Sequence, residues 1–217
     1  MNRRRASGGR RRSLTWMTGT AMMIAITLVL GSTPLGLIRT PILTATTLHI
    51  PVIIATLVLG LGAGVLTGLV FGIQSLISNL ASTSFFGPFF INPLVSVLPR
   101  ILFPICVYGI VCAVKRIAGR YDKRFIAAYV LSSALGTALH TAMVMGMIYL
   151  LNADKIALML ENSTGVPEAI ASRGVGMGII TMAVANGVPE MIVAAVIAPV
   201  VTLALDKAFG RMLLYKR

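Results

Sequence analysis

Six apolar runs follow one another along the chain, at roughly 14–31, 49–60, 63–80, 93–114, 125–151 and 183–206, and polar residues gather between them. A helix needs about 20 apolar residues to cross a membrane. The pattern therefore predicts an all-α integral membrane protein, a six-transmembrane-helix bundle built as a single membrane domain over residues 1–217. The second run is short for a full crossing. It starts at His49-Ile50-Pro51, where proline suits a first helical turn, and stops at the tight turn Gly60-Leu61-Gly62. From there Gly60, Gly64, Gly68 and Gly72 recur every four residues. That spacing lines one helix face with glycine and lets a second backbone approach closely.

The charges give this pattern an orientation. Fifteen of the 19 Lys and Arg residues fall in three clusters. They are Arg3, Arg4, Arg5, Arg10, Arg11 and Arg12 in a basic tail over 1–13; Lys115, Arg116, Arg120, Lys123 and Arg124; and Lys207, Arg211, Lys216 and Arg217. Lys and Arg in short loops stay on the cytoplasmic side. The N and C termini and one central loop are thus expected in the cytoplasm, with segments 32–48, 81–92 and 152–182 outside. The first outer segment holds Pro34, Arg39, Pro41 and a Thr-rich stretch from Thr44 to Thr47. In the second, Phe85, Phe86, Phe89 and Phe90 read either as a lid over a ligand or as an interfacial aromatic belt. The third holds Asp154, Lys155, Glu161, Glu168 and Arg173, with an amphipathic run near 154–161. The first apolar run follows a basic region, as in a signal peptide, but Leu30-Gly31-Ser32-Thr33-Pro34 carries no Ala-x-Ala cleavage site. It is expected to remain as a span.

Composition sharpens the class. The chain is 57% hydrophobic and 12% charged, with a mean hydropathy of +0.91; a soluble domain carries about 25% charged residues. The net charge of +13 lies beside the spans, and no basic face is interleaved with aromatics. Attraction to anionic membrane lipid explains it, and a nucleic-acid partner is not implied. Cys106 and Cys112 share one apolar run and read as small packing residues. The chain has no P-loop, so ATP hydrolysis by that route is excluded. It also lacks a His-Glu-x-x-His zinc motif, a Gly-x-Ser-x-Gly elbow and any paired carboxylates within one span. Neither a catalytic centre nor a metal or cofactor site is expected.

Polar groups at membrane depth are costly and become candidates for function. Arg100 follows Pro99 in the fourth run, and Glu190 follows Pro189 in the sixth. Either they pair with each other, or one or both meet a polar ligand, for which the arginine fork suits a carboxylate or phosphate. His49 opens the second run as a cap, an interface residue or a ligand contact. His140 lies mid-span beside Thr141, as a hydrogen-bonded core residue or a ligand contact. Asn186 faces the same choice, and Asn79 and Asn92 flank the aromatic segment.

Three stretches resemble one family. Thr46-Thr47-Leu48-His49-Ile50-Pro51-Val52-Ile53-Ile54-Ala55 before a glycine-rich turn, Asn92-Pro93-Leu94-Val95-Ser96-Val97-Leu98-Pro99-Arg100, and Asn186-Gly187-Val188-Pro189-Glu190 resemble the S components of energy-coupling factor (ECF) transporters, their substrate-binding membrane subunits. The resemblance covers nearly the whole chain and agrees with six spans and cytoplasmic ends. In this family an Ala-x-x-x-Ala face on the first helix docks the partner transmembrane subunit, and here it matches Ala21 and Ala25. One position departs. Relatives carry an asparagine in a Leu-Thr-Asn-Thr-like stretch of the fifth span, whereas this chain reads Ala138-Leu139-His140-Thr141, which leaves the substrate open.

What the resemblance implies is a multi-pass subunit of a bacterial plasma membrane, not an enzyme. It would bind a water-soluble vitamin or precursor outside, with Arg100, Glu190, Asn186, His140, Asn92 and His49 as the substrate-binding set. Delivery inward would run through a shared transmembrane subunit and two ATPase subunits. Pantothenate comes first because Arg100 suits its carboxylate; riboflavin, folate and cobalamin stay open. The residues alone also admit a small autonomous transporter or channel without ATPase partners. An intramembrane enzyme is disfavoured by the missing acidic pair.

Overall fold

A computed structural model describes residues 3–34, 36–39, 44–80, 87–118, 124–161 and 174–208. Phe85 and Phe86, the segment around Glu168 and Arg173, and the basic residues Arg120, Lys123, Arg211, Lys216 and Arg217 lie outside them. The chain runs α1 (Arg3–Gly31), β1 (Leu37–Arg39), β2 (Thr44–Thr46), α2 (His49–Leu59), α3 (Leu61–Leu80), a 3-10 turn (Gly87–Ile91), α4 (Pro93–Ser96), α5 (Leu98–Ala118), α6 (Arg124–Glu161) and α7 (Gly174–Ala208). Among the described residues, five helical stretches are long and apolar enough to cross a membrane: those of α1, α3, α4 with α5, α6, and α7.

The sixth apolar helix, α2, is different. Its 11 residues rise only about 16 Å, roughly half a bilayer core. Every one of them is buried. A helix that is apolar all round belongs inside a bundle, and α2 packs against α1, α3, α5, α6 and α7. The short run is thus the centre of the fold. Its core partners include Met23, Phe71, Phe103, Val107, Tyr129 and Ala194. The turn to α3 is made by Gly60 at φ 95°, a left-handed conformation that costs glycine little.

The structure corrects the sequence reading at three places. The segment 32–48 holds a two-stranded antiparallel ribbon, with Leu37 opposite Thr46, Ile38 opposite Ala45 and Arg39 opposite Thr44. Its β-branched residues favour extended backbone. The segment 152–182 is not all loop: α6 continues to Glu161 and α7 already starts at Gly174. No proline interrupts α6, and its amphipathic last turns bury Ile156 completely, which carries the helix beyond its apolar run. The fourth run is broken at Val97 into α4 and α5.

The ribbon joins the end of α1 to the start of α2, and the 3-10 turn follows α3, which puts the ribbon, the 3-10 turn and the start of α2 at one end of the bundle. At the other end, a small apolar cleft is lined by Thr15, Gly19, Met22, Leu59 and Leu205, so the middle of α1, the end of α2 and the end of α7 meet there. The Tyr129 hydroxyl donates to Asp206 Oδ2 at 3.0 Å and ties α6 to α7 at that same end.

Candidate functional site

The break between α4 and α5 creates the setting of Arg100. In an uninterrupted helix the Val95 carbonyl would accept from the N–H of residue 99. Pro99 has no N–H, so that carbonyl is released. The Arg100 side chain takes it, with Nη1 donating to Val95 O at 2.6 Å. Asn92 starts α4 by accepting from the Leu94 N–H at 3.0 Å, and Ser96 Oγ donates to Phe90 O, holding the 3-10 turn against α4. A second proline repeats the effect one turn later. Pro104 leaves the Arg100 carbonyl without its helical donor, and that carbonyl lies against Gly68 of α3, where a Cβ would clash with it. Gly72 likewise sits against the Val97 Cα, 2.8 Å from where its own Cβ would be. The glycine stripe is the seat of the arginine-bearing segment.

Around Arg100 the walls are aromatic. Its Cζ lies 5.3 Å from the ring centroid of Phe71 and 5.3 Å from that of Phe90, a distance at which ring quadrupoles attract a guanidinium. Phe71 also approaches His140, with centroids 5.7 Å apart, and Phe103 lies 4.9 Å from it. His140 in turn stacks on His49, at 6.1 Å and 20° between planes. One cluster therefore joins α2, α3, α5 and α6. His49, Arg100 and His140 are 1%, 3% and 3% exposed. Even so, both ring nitrogens of His49 and of His140, and Nε of Arg100, make no hydrogen bond of ordinary geometry among the described residues, although the Thr46 and Glu190 backbones lie near the His49 ring. Buried polar groups are ordinarily satisfied, and an unsatisfied one costs about 1–3 kcal/mol.

These contacts resolve several alternatives. His49 is no cap: it is the first residue of α2, and the N-cap position is Leu48, which makes no side-chain cap bond. His140 is not a hydrogen-bonded core histidine. Arg100 and Glu190 form no ion pair. Glu190 Oε1 instead accepts from the Thr46 backbone N–H at 2.6 Å, which fastens the ribbon to α7. Asn186, one turn before Glu190, donates from Nδ2 to the Met182 carbonyl at 3.1 Å in its own helix. Asn79 does the same toward Ser75 at 2.8 Å. Asn92 is engaged as the α4 cap.

Arg100, His49 and His140 thus come together, Glu190 stands beside them at the ribbon, and Asn186 and Asn92 are held by local backbone bonds. The sequence reading missed Phe71, Phe103 and Thr46. Phe103 was within reach of it, because three residues after Arg100 is the same helix face; Phe71 and Thr46 are brought in only by tertiary packing. Ala21 and Ala25 lie on an exposed face of α1, together with Met17, Met22, Leu28 and Val29.

A family model described as "ECF transporter, substrate-specific component" matches residues 16–202. No curated protein matches the chain.

Proposed function

The chain belongs to the substrate-specific components of ECF transporters, and from that premise we propose that it captures a water-soluble vitamin or vitamin precursor in the cluster around Arg100, His49 and His140. Membership makes it an integral membrane transporter subunit, not an enzyme, that serves a substrate and works with the shared module of such transporters. The finer points are our reading. The ribbon end faces outward and the basic chain ends face the cytoplasm, following the charge pattern. Glu190 holds the ribbon over the ligand, Asn186 and Asn92 shape the walls, and Ala21 with Ala25 meets the shared transmembrane subunit. Two ATPase subunits supply the energy. Pantothenate is the first substrate to try, ahead of riboflavin, folate and cobalamin.

One observation carries the reading: five polar nitrogens on three buried side chains make no hydrogen bond of ordinary geometry among the described residues. A fold pays for such groups only where something else satisfies them. The test is calorimetric titration of the purified chain in detergent with a panel of vitamins led by pantothenate. A tight single-site response to one of them is expected. Silence across the panel, from protein shown to be folded, would refute vitamin capture. Co-purification with ATPase subunits is the matching expectation for the partners.

A further inference from the structure

The same cluster says what chemical groups its ligand must carry, an inference that rests on the capture role above. The protein has already used one side of the Arg100 guanidinium. Nη1 is bound to the Val95 carbonyl, and two aromatic rings lie by the group. What remains is the side-on edge through Nε, whose N–H has no acceptor. That edge is one of the two by which a guanidinium grips a carboxylate with parallel hydrogen bonds.

The histidines add donors and no charge balance. An imidazole carries at least one N–H in either protonation state, so His140 presents a further donor with no acceptor among the described residues, and His49, with the Thr46 and Glu190 backbones nearby, lies stacked on it. Among the described residues Glu190 makes no ion pair with Arg100, and its Oε1 accepts from the Thr46 N–H. The cluster is therefore rich in unpaired donors around the Arg100 guanidinium. A cationic ligand would bring further donors to face these, and a neutral one would leave the Arg100 Nε–H without a charged acceptor. Phe71, Phe90 and Phe103 leave apolar wall for the rest of the ligand.

We propose that the substrate is a small monocarboxylate carrying a second acceptor, a hydroxyl or amide oxygen: the side-on edge of Arg100 holds the carboxylate, and His140 with His49 reads the second group. Arg100 then selects for charge and the histidine pair for the position of the second oxygen. This division also gives His140 a specificity role.

The test uses matched probes on the purified full chain. Each acid is titrated beside its uncharged counterpart: pantothenate with pantothenol, biotin with biotin amide, nicotinate with nicotinamide. Riboflavin and thiamine serve as neutral and cationic probes. In the wild type an acid with a second oxygen binds best, and loss of its charge weakens it about 30-fold or more. Arg100→Gln removes that preference for the acid over its neutral partner. His140→Phe keeps the preference while weakening the acid about tenfold. The wild-type comparison stands by itself should a variant fail to fold. Tightest binding by riboflavin, thiamine or any uncharged counterpart would overturn the inference and leave vitamin capture standing. An acid preference that persists in folded Arg100→Gln would overturn the role of Arg100. Silence of the folded wild type to every probe would refute both this inference and the capture role beneath it.

Discussion

Replacing Gly68 with alanine tests whether the glycine stripe seats the arginine-bearing segment. The new Cβ would collide with the Arg100 carbonyl oxygen and stand 3.5 Å from Pro104 Cγ. Ordinary C···O contacts are about 3.3 Å or longer, so α3 and α5 must part by about 1 Å. The obstacle is backbone, and no rotamer change relieves it. Against rigid backbone, overpacking takes the upper half of its usual range, about 2–3 kcal/mol, and the helix preference of alanine over glycine returns about 1 kcal/mol. The net loss is about 1–2 kcal/mol. At about 2–4 °C per kcal/mol for a chain of this size, the midpoint of thermal unfolding in detergent should fall by about 2–8 °C. Vitamin affinity should fall with it, because the displaced backbone is that of Arg100. Gly109 on α5 and Gly146 on α6 have nothing within 4 Å of an added Cβ, so Gly109→Ala and Gly146→Ala should melt and bind at least as well as wild type. A Gly68→Ala protein that melts no lower than wild type and binds equally well would refute the seating argument.

Three further outcomes are expected. Glu190→Ala strips the Thr46 N–H of its charged acceptor, a bond of about 1.5–3 kcal/mol; ligand release, followed by stopped-flow, should quicken about tenfold or more, while Glu190→Gln keeps an acceptor and most of the wild-type rate. An unchanged rate in Glu190→Ala would show that the ribbon does not retain the ligand. Asn92→Ala removes the α4 cap at a cost of about 1 kcal/mol and should lower the melting midpoint by about 2–4 °C with little change in affinity; large loss of affinity at an unchanged midpoint would make Asn92 a ligand contact. Ala25→Leu should leave vitamin binding by the isolated chain intact and abolish its co-purification with a transmembrane partner, and retained co-purification would remove Ala25 from the docking face.

The chain's hydropathy determined by itself that this is a helical membrane protein, since only an internally hydrogen-bonded helix satisfies its backbone in lipid and the apolar runs have the required length. The costly residues were visible for the same reason: Arg100, His49, His140 and Glu190 stand out because charge and hydrogen-bonding capacity are rare at membrane depth. Family membership was legible in the stretches around His49, Arg100 and Glu190. Tertiary structure decided the partners. Whether Arg100 would pair with Glu190 turned on backbone groups that no periodicity reveals, the Val95 carbonyl released by Pro99 and the Thr46 N–H carried in by the ribbon. The centrality of α2 was equally hidden, because a short apolar run reads the same whether lipid or five helices surround it. Phe71 joined the site only because the glycines of α3 let α5 come close enough to bring Arg100 beside it. Local sequence determines what each residue must avoid, and only the packed bundle determines which residue answers that need.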